Sequence, residues 1–307
     1  LVDLKLVFLG TSSAVPTAER GLSSVAMIRD GEVILVDAGE GVQRSFAQAG
    51  IGFNRNMKVL ITHLHGDHCV GLLGLLQTMA MLNRDKPLSV YGPRGLLGFV
   101  KNNIKSLKFG LSFPLSISTV REGLVVDEKE YRIRACRGEH NITNYAFLLE
   151  EKERPGVFHP EAARRLGVPE GELWSKLQDG EAVKIGERTI GPLQVMGPKR
   201  PGRKVVVTGD TRPTLRLRRF IAGADTAVLD STYFDDHADK AKENRHMTAR
   251  EAAEMASRAG VRRLVLTHFS SRYEDLEPYL QQASEIHPNL VAAADQMVLD
   301  VPYPDET

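Results

Sequence analysis

Val59-Leu60-Ile61 runs directly into His63-Leu64-His65-Gly66-Asp67-His68, an apolar strand followed by four imidazole or carboxylate side chains within six residues. Lys58 to Thr62 reads as a buried strand, so these groups lie on the turn leaving its carboxyl end. Open α/β sheets place their sites at that edge. Imidazole suits zinc, and carboxylate tolerates zinc or harder divalent ions. One ion rarely needs so many ligands so close together. Two ions about 3.5–4 Å apart do, and they can clamp the attacking and leaving oxygens of a hydrolytic displacement. A chance cluster of surface histidines is the bland alternative, and the dense HxHxDH spacing argues against it. The run predicts a dinuclear metallohydrolase on an α/β sheet.

The flanking chain supports that architecture. Leu4 to Leu9 reads as a first strand, ended by Gly10, and Ser23 to Ile28 with Val33 to Val36 as a hairpin turning at Asp30-Gly31. Glu40 to Ala49 reads as a helix stopped by Gly50, and Gly71 to Leu82 as an apolar helix suited to packing on a sheet. Leu88 to Tyr91 is a strand, Gly95 to Leu107 a helix, and Leu115 to Cys136 a set of strands. Then the character changes. From Glu151 to Arg203 prolines, glycines and charges accumulate, with short helices expected only at Glu161 to Leu166 and Leu173 to Leu177. So long a stretch with little strand pattern reads as a protruding arm, with a tolerated surface insertion as the alternative.

Order returns at Val205-Val206-Val207, a buried strand leading to Asp210. Ala227 to Leu229 leads in the same way to Asp230, and Leu264 to Leu266 to His268. Helices are expected at Pro213 to Ala222, Thr248 to Ala259 and Tyr273 to Ile286. Three times a short β run ends in a candidate ligand, the pattern of an α/β metal site.

With 42% apolar and 26% charged residues, the 307-residue chain reads as ordinary globular protein rather than disordered or fibrous. Its formal net charge of +1 means that a nucleic-acid partner must be held by a local basic surface. Two cysteines, Cys69 and Cys136, make no disulfide framework and suit a reducing interior. Cys69 follows His68 but reads as a small buried hydrophobe. No run approaches the roughly 18 apolar residues of a membrane span, so the expected location is cytoplasmic.

With His140, Asp210 and His268 added, the order HxHxDH, His, Asp, His resembles the metallo-β-lactamase superfamily and its four-layer αββα sandwich. Within it, five stretches resemble the ribonuclease Z family: Gly10-Thr11-Ser12 with Pro16 and Arg20; Asp37-Ala38-Gly39-Glu40-Gly41 with Gln43-Arg44; Gly209-Asp210-Thr211-Arg212-Pro213; Leu266-Thr267-His268-Phe269-Ser270-Ser271-Arg272-Tyr273; and His246-Met247-Thr248 before an Ala-rich helix. The resemblance covers about residues 4 to 302, arm included. It implies one hydrolase domain over residues 1–307 with an exosite arm at about 151–203 that grips the tRNA elbow. It also implies two zinc ions per subunit, with manganese or magnesium as alternatives. One ion would be held by His63, His65 and His140, the other by Asp67, His68 and His268, with Asp210 bridging and Asp37 supporting the ligand loop.

The implied reaction removes the 3′ trailer from precursor tRNA, leaving a tRNA 3′-hydroxyl and a trailer 5′-phosphate. Asp67 would accept the proton of the attacking water, and His246 would stabilise or protonate the leaving 3′ oxygen. A glutamate orients that histidine in the family, and Asp230 stands at its place here. RNA contacts are expected from Arg20, Arg212 and Arg272 and, in the arm, from Lys176, Lys199 and Arg200. Arg216, Arg218 and Arg219 form a second basic cluster. A homodimer is implied, with one subunit's arm serving the other's site. A small-molecule hydrolase of the same fold, acting on phosphodiesters, thioesters or lactones, is the competing reading. A non-catalytic RNA-binding scaffold predicts a missing ligand, yet every ligand position is filled. His159, His237 and His287 lack ligand company and are expected to be structural or solvent-facing.

Overall fold

A computed structural model describes residues 2–304, with the backbone alone at Tyr279; the ends of the span 1–307 lie outside the described residues. In chain order the first half holds strands β1 (Leu4–Gly10), β2 (Ser24–Arg29) and β3 (Glu32–Val36), then helix α1 (Val42–Gln48) and strand β4 (Met57–Leu60). Helices α2 (Gly66–Cys69) and α3 (Gly71–Met81), strand β5 (Leu88–Gly92), helix α4 (Leu96–Leu107) and strands β6 (Leu115–Thr119), β7 (Gly123–Asp127), β8 (Tyr131–Arg137) and β9 (Tyr145–Glu151) follow. The arm contributes helices α5 (Pro160–Arg165) and α6 (Glu172–Gln178) and strands β10 (Val183–Ile185) and β11 (Arg188–Ile190). After it come β12 (Lys204–Val207), α7 (Leu215–Phe220), β13 (Thr226–Asp230), α8 (Ala238–Glu243), α9 (Ala249–Arg258), β14 (Arg263–Thr267), α10 (Glu277–Ile286), β15 (Leu290–Ala292) and β16 (Val298–Asp300).

The strands form two seven-stranded sheets, ordered β16-β1-β2-β3-β4-β5-β6 and β15-β14-β13-β12-β9-β8-β7. In both, the strands that lead to the ligands run parallel to a neighbour: β4 beside β3 and β5, and β13 between β12 and β14. Side-chain alternation sorts three cores. Val33 and Leu35 of β3 face the helices α1, α3 and α4, while Ile34 and Val36 face the second sheet. In β12, Val205 and Val207 point between the sheets and Val206 points to the α7, α9 and α10 side. Strands buried on both faces need continuous apolar runs, which explains why these read so clearly in the sequence. Each fully buried Val, Leu or Ile contributes roughly 1.5–3 kcal/mol. The result is a four-layer αββα sandwich.

The remaining unit spans Glu151–Arg203 with the chain's end from Tyr303. It has its own small core of Ala163, Val168, Leu177, Val183, Ile190 and Val195, capped by Trp174, whose Nε1 donates to the Val168 carbonyl at 3.0 Å. The two expected helices are present, α5 shifted by one residue and α6 longer by one residue at each end. The β10–β11 hairpin was not foreseen, because three-residue strands carry too little alternation to register. Among the described residues no helix is long and apolar enough to cross a membrane.

Three helix starts differ from the sequence expectation by two residues or more. Gly41, at φ 81°, delays α1 to Val42. Thr214 caps α7 by accepting from the Leu217 amide at 3.0 Å, so Pro213 stays outside the helix. Pro278 sits in the first turn of α10, where its missing N–H forfeits no helix bond, and the helix begins at Glu277 rather than Tyr273.

Candidate metal centre

The ligand run sits where β4 ends. One turn of helix, α2, carries Asp67 and His68, and its position is set by the loop after β3. The Ala38 amide donates to the His68 carbonyl at 2.8 Å. Gly39 and Gly71 make this approach possible: a Cβ on Gly71 would lie 1.9 Å from the Gly39 oxygen. Asp37 precedes them in a left-handed conformation, φ 61°, uncommon for a residue with a side chain. Its carboxylate accepts from the Thr62 amide at 2.7 Å, the Thr62 hydroxyl at 2.8 Å and His68 Nδ1 at 2.6 Å. His140 comes from the loop between β8 and β9, while Asp210, Asp230 and His268 follow or end β12, β13 and β14.

These side chains converge in two groups that share Asp210, overlapped by a third made of Asp210, Asp230, His246 and His268. His63, His65, His140 and Asp210 form the first, and Asp67, His68, His268 and Asp210 the second, each with its donor atoms within 4.8 Å of one another. Asp210 Oδ2 lies 3.4 Å from His63 Nε2 and 3.8 Å from His140 Nε2. Its Oδ1 lies 3.2 Å from His68 Nε2 and 3.3 Å from His268 Nε2. Asp67 Oδ2 stands 3.5 Å from both of the latter nitrogens. Ligands bonded at about 2.0–2.2 Å around a tetrahedral zinc are separated by roughly 3.3–3.6 Å, so the spacing suits an ion in each of the first two groups.

The imidazole hydrogen bonds fit the same purpose. His68 Nδ1 donates to Asp37, His63 Nδ1 to the Thr62 hydroxyl at 3.0 Å, His140 Nδ1 to the Arg245 carbonyl at 3.1 Å, and His268 Nδ1 to the Thr232 hydroxyl at 2.8 Å. Four rings thus turn an Nε2 lone pair inward. His65 instead presents Nδ1, 3.1 Å from His63 Nε2 and 3.3 Å from His140 Nε2. Fixing the outer nitrogen in this way sets tautomer and ring orientation at metal sites. Electrostatics agree. Burial opposes charge throughout, yet the carboxylates of Asp210, Asp230 and Asp67 outweigh it and raise His268 to about 10. Asp210 is held well below the usual carboxylate range: burial pushes it up, but His268, His68 and His63 prevail. A pocket this demanding of positive charge suits divalent cations. Burial holds His140 near 4, so that ring is a neutral donor.

His246 lies against the same cluster. Its Nδ1 is 2.9 Å from Asp230 Oδ2, and its ring stacks on His268 at 5.5 Å between centroids. Asp230 therefore reaches the histidine despite the shorter side chain. It also accepts from the amides of Thr211 at 3.1 Å and Thr232 at 2.9 Å. Two residues on from His246, Thr248 and Glu251 form a reciprocal capping box that starts α9.

Sequence reading passed over Thr232, Thr62, Asn144 and Arg245. The Thr232 hydroxyl donates to Asp230 Oδ1 at 2.7 Å and lies within 3.0 Å of both His246 Nδ1 and His268 Nδ1. Asn144 donates to the Asp210 carbonyl. Thr62 and Thr232 neighbour singled-out residues, the one signal available; Asn144 gives none.

The expected basic residues are differently placed. Arg20 donates to the Tyr273 carbonyl and lies over the Phe269 ring. Arg212 pairs with Glu251 and donates to the His246 carbonyl at 2.5 Å, leaving its side chain 14% exposed. Arg272 is exposed, with Nε donating to Ser270 Oγ at 3.0 Å. In the arm, Lys176 pairs with Glu172 at 2.9 Å and Lys199 with Glu153 at 3.7 Å, while Arg200 Nε donates to the Pro155 carbonyl at 3.2 Å. His159 is exposed, His237 pairs with Asp236, and His287 is buried, with Nε2 donating to the Val261 carbonyl. Cys69 is buried in the core, and burial pushes its thiol up to about 11.

A ribonuclease Z of Nitrosopumilus maritimus is 48% identical over 298 residues, 97% of this chain and all of the relative. The chain belongs to the ribonuclease Z family. The ribonuclease Z of Natronomonas pharaonis is 44% identical over 99% of the chain and all of its own length. Human tRNase Z, short form, superposes with a TM-score of 0.73 at 27% identity, covering 97% of this chain and 99% of the human one. The metallo-beta-lactamase fold protein YhfI of Bacillus subtilis, TM-score 0.69 at 18% identity over 98% of this chain and all of its own, shares the fold. A family model described as anti-Pycsar protein Apyc1 matches residues 4–115 of the chain, and one described as beta-lactamase superfamily domain matches residues 192–269.

Proposed function

We propose that the protein is a zinc-dependent endoribonuclease that removes the 3′ trailer of precursor tRNA, leaving a tRNA 3′-hydroxyl and a trailer 5′-phosphate. Family membership supports the substrate, and the shared position of Asp210 between two inward-facing donor groups carries the dinuclear reading. His63, His65 and His140 would hold one zinc ion and Asp67, His68 and His268 the other, with Asp210 touching both. Bound there, two divalent ions supply Lewis acidity at the scissile phosphate and make a water acidic enough to serve as nucleophile near neutral pH.

The protein's own groups do the rest. Asp67 accepts the proton of the attacking water. Asp230 and Thr232 hold His246 Nδ1, which leaves Nε2 to donate a proton to the departing 3′ oxygen. Asp37 keeps His68 in its ligating tautomer. Arg20, Arg212 and Arg272 are assigned to the RNA near the cut, the first two through the loops that they brace. Lys176, Lys199 and Arg200 are assigned to the tRNA body. The active form is a cytoplasmic homodimer.

The test is cleavage of an end-labelled precursor tRNA by wild type and Asp67→Ala, beside hydrolysis of bis-p-nitrophenyl phosphate. A single cut after the discriminator base, lost in the variant, is expected. Hydrolysis of the small diester with the RNA left intact would favour the small-molecule hydrolase instead.

A further inference from the structure

A cleft of about 790 Å³ opens beside His140, lined among others by Arg137, Arg216 and Arg245. Three guanidinium groups against one lining carboxylate, Glu139, make its wall basic. Their partners leave that charge available. Arg137 is exposed and, among the described residues, makes no side-chain hydrogen bond or ion pair. Arg216, its side chain 59% exposed, meets Glu122 at 3.3 Å, a surface pair that water and a competing anion readily exchange. Among the described residues Arg245 meets no carboxylate. Its Nη1 donates to the His140 carbonyl at 3.1 Å, and its own carbonyl accepts from His140 Nδ1. Arg245 is left-handed, φ 58°, because it follows the C-cap of α8, where the His246 amide closes the helix end on the Ala241 carbonyl at 2.8 Å. An exposed guanidinium held by one hydrogen bond keeps its other donors for the fork geometry with which arginine recognises phosphate.

The side of the centre on which the cleft lies says which part of the substrate it meets. Arg245 directly precedes His246, and His140 rests 5.2 Å from the His246 ring. The histidine assigned to the leaving 3′ oxygen therefore adjoins two residues of the cleft wall, Arg245 and His140. In an in-line displacement the leaving oxygen departs away from the nucleophile, and the chain attached to it is the RNA on the 5′ side of the cut. We propose that this cleft holds the strand immediately 5′ of the scissile bond, with Arg137, Arg216 and Arg245 neutralising its phosphates. The proposal rests on the tRNA-processing reading and adds the polarity with which RNA crosses the centre.

The experiment compares wild type, Arg137→Ala, Arg137→Lys and the double variant Arg137→Ala/Arg216→Ala. Substrates are precursor tRNAs with a one-nucleotide and a long trailer, and bis-p-nitrophenyl phosphate reports whether the metal centre of each variant is intact. The expected result is a several-fold rise in KM for Arg137→Ala, larger in the double variant, equal for both trailer lengths and largely rescued by lysine. The dependence of log kcat/KM on log salt should flatten by about one for each arginine removed. Unchanged KM overturns the proposal, as does a rise confined to the long trailer, which would put the trailer in the cleft. Wild type that hydrolyses the small diester and leaves both RNAs whole overturns the tRNA reading and this proposal with it.

Discussion

Asp37 Oδ2 lies 2.6 Å from His68 Nδ1, on the side of the ring away from His268. The same carboxylate holds Thr62, whose hydroxyl in turn fixes His63, so one buried acid orients a ligand of each donor group. Asp37→Ala frees both tautomers and should lower zinc affinity by about 10- to 100-fold. Competition titration with a chromogenic chelator measures this. An affinity unchanged in Asp37→Ala would mean that the ligands orient themselves.

The link between Asp230 and His246 bears on rate rather than on metal. His246→Ala removes the proton donor and should lower kcat on precursor tRNA by about 10²–10⁴-fold. Asp230→Asn keeps the shape while removing the charge, and should lower kcat by less at similar KM and similar metal content. Thr232→Val touches both His246 and His268, so it should lower kcat and zinc affinity together, with Thr232→Ser retaining most of each. Single-turnover rates beside metal analysis separate the three cases.

The centre was legible where its chemistry is local or ends a strand. Four candidate ligands in HLHGDH announce themselves, and Asp210, Asp230 and His268 each follow an apolar run that can only be a buried strand. What stayed hidden depends on partners distant in sequence. Strand β9 runs into the charges of the arm, and only its pairing with β12 and its place in the core define it. Arg212 reads as an RNA contact in the sequence because Glu251, which engages it, lies 39 residues on. Thr232 is one hydroxyl among many until three of its neighbours are seen.

Chelation should reveal how strongly the ions support the fold. Three buried carboxylates, Asp37, Asp210 and Asp230, and the partly buried Asp67 meet where the two sheets end, and bound ions would compensate their charge. Any ligand that binds only the native state stabilises it by mass action, about 4 kcal/mol at a thousandfold excess over Kd. Prolonged chelation should abolish activity and lower Tm by several degrees, and zinc should restore both. Metal analysis of the restored protein should give two ions per chain. A value of one would remove Asp210 from its bridging role.

The arm should act on substrate affinity alone. Lys176 and Lys199 pair with exposed glutamates, contacts worth little in water, so phosphate can displace them. Lys176→Glu/Lys199→Glu should raise KM for precursor tRNA and leave bis-p-nitrophenyl phosphate hydrolysis intact. Equal KM values for wild type and variant would remove these lysines from the RNA surface.

Lys58 carries an ionic link between the sheets. Its Nζ lies 2.5 Å from Glu32, 3.0 Å from Glu128 and 3.0 Å from the Tyr131 hydroxyl, which donates to Glu32 at 2.9 Å. Burial alone would lower the ammonium pKa, but Glu32, Tyr131 and Glu128 outweigh it and raise it above the ordinary range. Burial, with the Glu32 charge, also raises Tyr131. Both native values exceed the unfolded ones, so the native state binds more protons in alkali, and stability must fall as pH rises above about 10. Below that pH the contribution is complete. Lys58→Met should therefore destabilise the protein by about 1–3 kcal/mol at pH 7.5, because Glu32 loses its cation. The difference from wild type should narrow by pH 11, as the ammonium of the unfolded chain loses its proton. Urea unfolding at the two pH values tests the sign, and a gap that widens in alkali would show that Lys58 acts through packing rather than charge.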